Sequence, residues 1–202
     1  QMKYRSVAVN YNQRIDTQEL NKMKQQTVLI IPNATSIHNK GERNQHCYEK
    51  IIAKNLQEVG QTAFQQSMLK QFIAPRMDKV GENAFYNSMF LSTITLQNTL
   101  FIGKEAFSGT NLSKIANNHL TSLDNGQFSQ IPEIQTVKLS NLTHLDAHVF
   151  DNCVIDEFDA PKLSQIDFKY WNSLKAAQYN FSCEGVQKVD FRPSLHISQL
   201  GP

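Results

Sequence analysis

The apolar positions of this chain recur every 21 or 22 residues. One phrase, an aliphatic residue followed by Gly, two polar residues, Ala and Phe, occurs at 59–64, 80–85 and 102–107. A phenylalanine keeps the same interval over five repeats: Phe64, Phe85, Phe107, Phe128 and Phe150. A fixed period of this length, with apolar residues two and three apart between the phrases, predicts a leucine-rich solenoid.

Each repeat predicts one turn of a stacked array. Apolar residues two apart, such as Phe72 and Ala74, point to the same face of a short strand and would line the interior. Gly60, Gly81 and Gly103 would lie at a corner that needs either a positive φ or a close approach of the backbone. The pattern predicts an α/β solenoid of about seven to eight 21–22-residue turns, with a concave parallel sheet and short helices or turns on the convex side.

The repeat does not extend over the first residues of the chain. Residues 1–25 predict an N-terminal cap segment, a strand followed by a short helix. Asp16 is the expected N-cap of that helix, with Glu19 three residues later. Residues 26–202 are the predicted repeat array.

The spacing changes near the end of the array. The step to the last copy, which starts at Val186, is 31 residues, and we therefore expect a longer insertion near 171–180. Either Trp171 or Phe181 would then take the phenylalanine position of that turn. The last strand would lie at 186–191.

The composition is that of an ordinary soluble domain. Hydrophobic residues make up 40% and charged residues 19% of the 202 positions, and the formal net charge is +2. This balance gives no bias toward nucleic acid, so no nucleic-acid partner is expected. The longest aliphatic run, Val28 to Ile31, is far too short to span a bilayer, so no transmembrane segment is expected. Three cysteines exclude a disulfide-dense scaffold.

The outward-facing residues of the predicted sheet are the candidate binding surface. Ile30, Ile52 and Ile73 would form an aliphatic ladder on a face that otherwise meets water, which suggests a partner. Two alternatives are that the N-terminal segment folds over the ladder, or that β-branched residues merely suit a sheet surface. The full set of candidate binding residues is Ile30, Lys50, Ile52, Gln71, Ile73, Thr93, Lys138, Asp159, Asp190 and Arg192.

The C-terminal half of the same face is charged. Glu157 and Asp159 would lie beside Lys188, Asp190 and Arg192 of the last copy. The alternative to a binding role is a solvated surface whose charges pair with one another.

No motif predicts catalysis, and no cofactor is expected. His144 and His148 are four residues apart, a spacing that could chelate a metal on a helix. His144 falls in the turn before the predicted helix, however, and no third ligand is near in sequence. We therefore expect neither a metal site nor enzymatic activity.

Cys153 and Cys183 are candidates for a disulfide. Both would closely follow the phenylalanine position on adjacent turns if Phe181 takes that position, and this separation suits a bridge. The alternative is two buried free thiols.

Four Asn-x-Ser/Thr sequons begin at Asn33, Asn111, Asn141 and Asn180. About two or three such sequons are expected by chance from this content of Asn, Ser and Thr, so they are weak evidence for secretion and leave glycosylation open.

The repeated phrase resembles the BspA-like leucine-rich repeats. The resemblance rests on aliphatic-Gly-x-x-Ala-Phe followed, after two residues, by Cys or a small residue, and on strands that end in Ala-Pro at 74–75 and 160–161. It covers about 26–202. It implies a right-handed array in a surface or secreted protein that mediates adhesion or binds host matrix, and it implies no catalytic residues.

The leading hypothesis is a non-enzymatic module that presents its concave face to a protein or glycan, such as host extracellular matrix. The alternative is a structural spacer within a longer surface protein, with no ligand of its own. An enzyme is the weakest hypothesis, because a regular solenoid rarely provides a deep pocket. A homodimer could form through an open strand at one end of the array.

Overall fold

The computed structural model describes residues 7–22, 27–39, 48–146, 148–166 and 180–182. They wind as a solenoid whose parallel strands form two walls, called here the front wall and the side wall. The strands are numbered in chain order, so that odd numbers fall on the front wall and even numbers on the side wall. The front strands are β1 (Val7–Val9), β3 (Val28–Ile30), β5 (Lys50–Ile52), β7 (Gln71–Ile73), β9 (Thr93–Ile94), β11 (Lys114–Asn117), β13 (Ile134–Leu139), β15 (Ile155–Asp159) and β17 (Asn180–Ser182). The side strands are β2 (Arg14–Asp16), β4 (Ser36–His38), β6 (Glu58–Val59), β8 (Lys79–Val80), β10 (Phe101–Ile102), β12 (Ser122–Leu123), β14 (His144–Leu145) and β16 (Gln165–Ile166).

Each wall is made of two sheets. The front wall has the strand orders β1-β3-β5-β7-β9 and β11-β13-β15-β17, and the side wall has β2-β4-β6-β8-β10 and β12-β14-β16. Strands one turn apart pair in parallel, with Ile51 opposite Phe72 and Val59 opposite Val80. Both walls are interrupted at the same level, between the turn of β9 and β10 and the turn of β11 and β12.

The third wall, called here the turn wall, carries the repeated phrase. The five phenylalanines of the interval are buried there, and neighbouring rings stack with centroids 5.2 to 5.8 Å apart. Phe72 reaches across from the front wall and meets Phe64 and Phe85 edge-on, at 5.3 Å from each. The five phenylalanines therefore form an aromatic core. Its energy comes from ring stacking added to apolar burial.

The turn wall is made of turns and is not helical, so the short helices or turns predicted for the convex side are found as turns. Its backbone is a run of β-turns, and its amides alternate between donating to a carbonyl of the same turn and donating to a carbonyl of the next turn. The amide of Ala63 donates within the turn to the Gly60 carbonyl, at 3.3 Å, whereas the amide of Phe64 donates to the Ala84 carbonyl of the next turn, at 2.7 Å. An α-helix would direct every amide along its own axis and leave no donors for the neighbouring turn.

This alternation requires left-handed backbone at fixed places. Thr62, Asn83 and Glu105, which occupy the second polar position of the phrase, have φ of 55°, 53° and 51°. Asn87, two residues after its phenylalanine, has φ of 54°. Among non-glycine residues Asn tolerates this region best. The second polar position of the phrase is thus conformational as well as partly exposed.

The N-terminal residues continue the stack. Strand β1 pairs with β3 and β2 pairs with β4, so residues 7–16 form one further turn. A short helix, α1 (Thr17–Lys22), follows, and the Glu19 amide donates to Asp16 Oδ1 at 2.9 Å. The buried Tyr48 hydroxyl donates to the Leu20 carbonyl at 3.1 Å and ties this helix to the next turn.

The C-terminal register differs from the prediction. Strand β17 lies beside β15 with Phe181 opposite Phe158, and Asn180 pairs with Glu157, a step of 23 residues. The strand expected at 186–191 is therefore not the neighbour of β15, and Phe181 lies on a front strand rather than in the phenylalanine position. The expected insertion near 171–180 lies outside the described residues except for Asn180. The sequence misled because Phe fits both the strand and the turn wall.

Candidate binding surface

The aliphatic ladder lies on the outward face of the front wall. Ile30 is opposite Ile52, and Ile52 is opposite Ile73, with every side chain half-buried. Val9 of β1 extends the ladder by one turn and is 46% exposed. Four aliphatic side chains thus stand in one column across neighbouring strands, where each covers part of the next.

The N-terminal segment does not cover this column as an overlying strap in the described residues. It adds β1 at the edge of the same sheet instead. Sequence reasoning missed Val9, although the signal was present: Val7 and Val9 precede Val28 and Ile30 by 21 residues, the repeat interval itself.

A polar column runs beside the ladder. Lys50, Gln71 and Thr93 are in register on β5, β7 and β9, as the sequence predicts. Lys70 reaches the carboxylate of Glu49 at 3.1 Å next to this column, and both side chains are about half exposed. A shallow recess here is lined by Thr27, Val28, Glu49, Lys50, Lys70 and Gln71.

Exposed apolar side chains border the front wall where the turn wall leads into it. Met68 and Met89 are 53% and 67% exposed, and Phe90 is 49% exposed. Met68 and Met89 follow Ser67 and Ser88, whose Oγ atoms are 3.1 Å apart, so the two methionines project from neighbouring turns. We call Met68, Met89 and Phe90 the rim. Sequence reasoning missed the rim because these residues lie outside the repeated positions that were expected to face the interior.

The charged half of the front wall carries an ion pair between neighbouring strands. Lys138 lies 3.4 Å from Glu157 and is in register with Asp159. Lys188, Asp190 and Arg192 lie outside the described residues. The predicted row that joined them to β15 was wrong, because β17 (Asn180–Ser182) takes that place. Asp159 and Lys138 remain together on this half; the Asp190 and Arg192 assignments remain predictions.

Asparagine side chains tie neighbouring turns together at the corner between the front and side walls. Asn55 Nδ2 donates to the Pro32 carbonyl at 2.8 Å, and Asn98 Nδ2 donates to the Pro75 carbonyl at 2.7 Å. Two sequon asparagines belong to the same series: Asn33 Nδ2 donates to the Tyr11 carbonyl at 3.1 Å, and Asn141 Nδ2 to the Asn118 carbonyl at 2.5 Å.

The other sequons differ in position. Asn111 is exposed just before β11, and Asn180 opens β17. The side chains of Asn33 and Asn141 therefore have a structural role in the described fold. Within the described residues, the Asn111 side chain makes no hydrogen bond of this kind.

Titratable groups with displaced pKa values are dispersed over separate turns. Burial raises the pKa of Tyr48 to about 12. The hydrogen bond and the charge of Glu58, 2.8 Å away, raise the pKa of Lys79 on the side wall. His144 contacts Gln165 at 3.2 Å and His148 contacts Asp151 at 2.8 Å, so the two histidines have different neighbours. The described residues contain no group of three side chains able to hold a metal ion.

Cys153 is a buried free thiol in the turn wall. Its Sγ donates to the Phe128 carbonyl of the preceding turn at 3.1 Å, as Ser88 Oγ donates to the Phe64 carbonyl at 2.6 Å. Burial raises the pKa of the Cys153 thiol to about 12. Cys183 lies outside the described residues; the predicted disulfide is not formed here, because the Cys153 thiol is free, and its premise, Phe181 in the phenylalanine position, was wrong.

Comparison with known families decides the assignment. A family model described as a BspA type leucine rich repeat region matches residues 57–176 in six copies, which is more than half of the chain. The chain belongs to the BspA-type leucine-rich repeat family. The matched residues include the strands from β6 to β16. No curated protein and no solved structure matches the chain significantly.

The BspA-type assignment confirms the resemblance of the repeated phrase and accounts for its period. It is consistent with a repeat module of a surface protein. Among the described residues, no helix is long and apolar enough to cross a membrane.

Proposed function

We propose that this chain is a non-enzymatic binding module of a surface or secreted protein, and that its front wall binds the partner. The observation that carries the proposal is the column of Val9, Ile30, Ile52 and Ile73, in register on the outward face of a sheet. An aliphatic column that is not sealed by another element of the described fold supports a partner that covers it. The proposal also includes a right-handed coil and a total of about seven to eight turns in the array.

The chemistry of the front wall favours a protein over a glycan as the ligand. The ladder and the rim of Met68, Met89 and Phe90 offer aliphatic, sulfur and aromatic surface. Methionine adapts its shape and is frequent at protein-binding surfaces. The polar column of Lys50, Gln71 and Thr93 lies between them and supplies hydrogen-bond partners to an ordered ligand. Adhesion to host extracellular matrix follows as the leading biological role.

A non-enzymatic role is supported by the dispersal of the groups whose pKa is displaced. Tyr48, Lys79 and Cys153 lie on different turns, and no described recess gathers them. Catalysis requires such groups to converge on one reacting atom.

The test is a pull-down and array screen against matrix proteins and glycans with the intact chain. Replacing Ile52 and Ile73 together by Lys should abolish capture, because two ammonium groups would have to be buried beneath the partner. The control is Ser36→Lys with Ser122→Lys, which adds the same charge on the side wall. Circular dichroism should show that both variants keep the fold.

Unchanged capture by the Ile52 and Ile73 variant would exclude the front wall as the binding surface. Absence of any binder for the unmodified chain would favour the structural spacer instead.

A further inference from the structure

Both strand walls are interrupted at one level of the solenoid. Strand β9 ends the first front sheet and β11 begins the second, and β10 and β12 do the same on the side wall. We call this level the junction. Leu100 and Phe101, at the last side strand before it, are 62% and 54% exposed. The interruption divides the chain into a first block, which carries the aliphatic ladder, and a second block, which carries the charged half.

The buried side chain of Asn117 bridges the front wall at the junction. It occupies the slot that Ala53, Ala74, Leu96 and Leu139 fill in other turns, and it is 1% exposed. Its Nδ2 donates to the carbonyls of Leu96 and Thr99 on the preceding turn, at 2.6 and 2.8 Å. Its Oδ1 accepts from the amide of Leu120 in its own turn, at 2.7 Å.

Gln127 makes an equivalent bridge on the far side of the turn. It replaces the alanine of the phrase, as in Ala84 and Ala106, and it is 4% exposed. Its Nε2 donates to the Ile102 carbonyl of the preceding turn at 2.8 Å, and its Oε1 accepts from the Asp124 amide at 2.9 Å. Side-chain amides therefore substitute for backbone pairing at the junction.

The turn wall remains continuous across the junction. The Phe107 amide donates to the Gln127 carbonyl at 2.9 Å, and the rings of Phe107 and Phe128 stack at 5.3 Å. One wall is thus joined by a regular ladder. Among the described residues, the other two depend on the side-chain amides of Asn117 and Gln127 and on one backbone bond, from the Asn111 amide to the Leu91 carbonyl at 3.0 Å. Opening the junction leaves the polar groups of these contacts unpaired, which costs free energy. The contacts are nevertheless fewer than the hydrogen bonds of a paired sheet.

We propose that the junction is a built-in boundary between two cooperative blocks, hinged along the turn wall and latched by Asn117 and Gln127. The stability of a solenoid is the sum of its turns and of the interfaces between neighbours, so the weakest interface sets where it separates. Opening the latch lets the ladder-bearing block and the charged block change their relative orientation without unfolding either.

Native-state hydrogen exchange on the intact chain, over rising denaturant below the unfolding midpoint, tests the boundary. Amides of β5 to β8 should converge on one opening curve and amides of β13 to β15 on another, with protection differing by about tenfold or more. Asn117→Ala should accelerate exchange at Leu120 and separate the two curves further, because the latch is lost.

The control is Asn98→Ala, which removes an exposed cross-turn amide bond inside the first block. It should lower protection in that block alone and leave Leu120 unaffected. A single shared opening curve for both blocks in the unmodified chain would overturn the proposal. An equal loss of protection on both sides in Asn117→Ala would overturn it as well. If Asn117→Ala does not fold, the unmodified chain decides the question by itself.

Discussion

Gly81 packs directly against the backbone of Gly60 on the preceding turn. A methyl group built on Gly81 would lie 2.5 Å from the amide nitrogen of Gln61 and 2.7 Å from the carbonyl carbon of Gly60. The φ of Gly81 is not positive. Glycine is therefore required at this position by the close approach of the two backbones and not by a positive φ.

Gly81→Ala should destabilise the fold by roughly 1–3 kcal/mol, because the clash is with backbone that cannot swing aside. Gly60→Ala is the matched control at the same position of the repeat. There the nearest atoms would be the Ile37 carbonyl oxygen at 3.1 Å and His38 Nδ1 at 3.2 Å, which leave more room. Its free energy of unfolding should change by less than about 1 kcal/mol. Equal losses in urea unfolding of the two variants would contradict the close-approach account.

Phe107→Ala should cost roughly 3–5 kcal/mol of unfolding free energy. Phe107 is fully buried and stacks between Phe85 and Phe128, with centroids at 5.4 and 5.3 Å. Phe101→Ala supplies the comparison, because that ring is 54% exposed and should cost less than about 1 kcal/mol. Chemical denaturation monitored by circular dichroism measures both. A Phe107 variant as stable as the parent chain would show that the phenylalanine stack is not a core.

The inward residues could be predicted from sequence because every turn repeats the same apolar spacing. Phe72 and Ala74, which the spacing predicts to point inward, are both buried. The interval also fixes which outward residues share a column, and this is why Lys50 and Gln71 are found in register.

The turn wall and the junction could not be predicted in this way. Periodicity shows that Ala84 and Phe85 face inward, but a helix and a run of β-turns both satisfy that pattern. The choice depends on alternate amides bonding to the neighbouring turn, which is a contact between distant residues. Asn117 was visible as a polar residue in an apolar slot, yet its bond to Leu96 requires the stacked geometry.

Glu105→Gly should stabilise the protein by up to about 1 kcal/mol. Glu105 has φ of 51°, a region that is costly for a residue with a Cβ and free for glycine. The ion pair with Lys104 that the change removes is exposed and 3.7 Å long, so its loss matters little.

Lys104→Gly is the paired control for this substitution. Lys104 precedes Glu105 and is not among the positive-φ residues, so glycine there only adds freedom to the unfolded chain. It should destabilise by about 0.5–1 kcal/mol. Thermal unfolding of the two variants should therefore move in opposite directions, and a shift of both in the same direction would refute the conformational account of the phrase.

The stability of the chain should fall in alkali through the Cys153 thiol. Burial raises its pKa from 9.0 to about 12, so the unfolded chain releases this proton at a lower pH than the folded chain. The contribution is complete below pH 9 and is lost progressively as the pH rises from 9 to about 12. At one pH unit above the unfolded value the loss is about 1.4 kcal/mol. Cys153→Ser should remove this loss of stability, because serine keeps the donor that Ser88 uses toward the Phe64 carbonyl and does not ionise in this range.

Urea midpoints measured from pH 8 to pH 10.5 should therefore fall more steeply for the parent chain than for the serine variant. The alkaline titration of Tyr48 is common to both proteins and cancels in that difference. Parallel pH profiles would show that the Cys153 thiol does not titrate as a buried group.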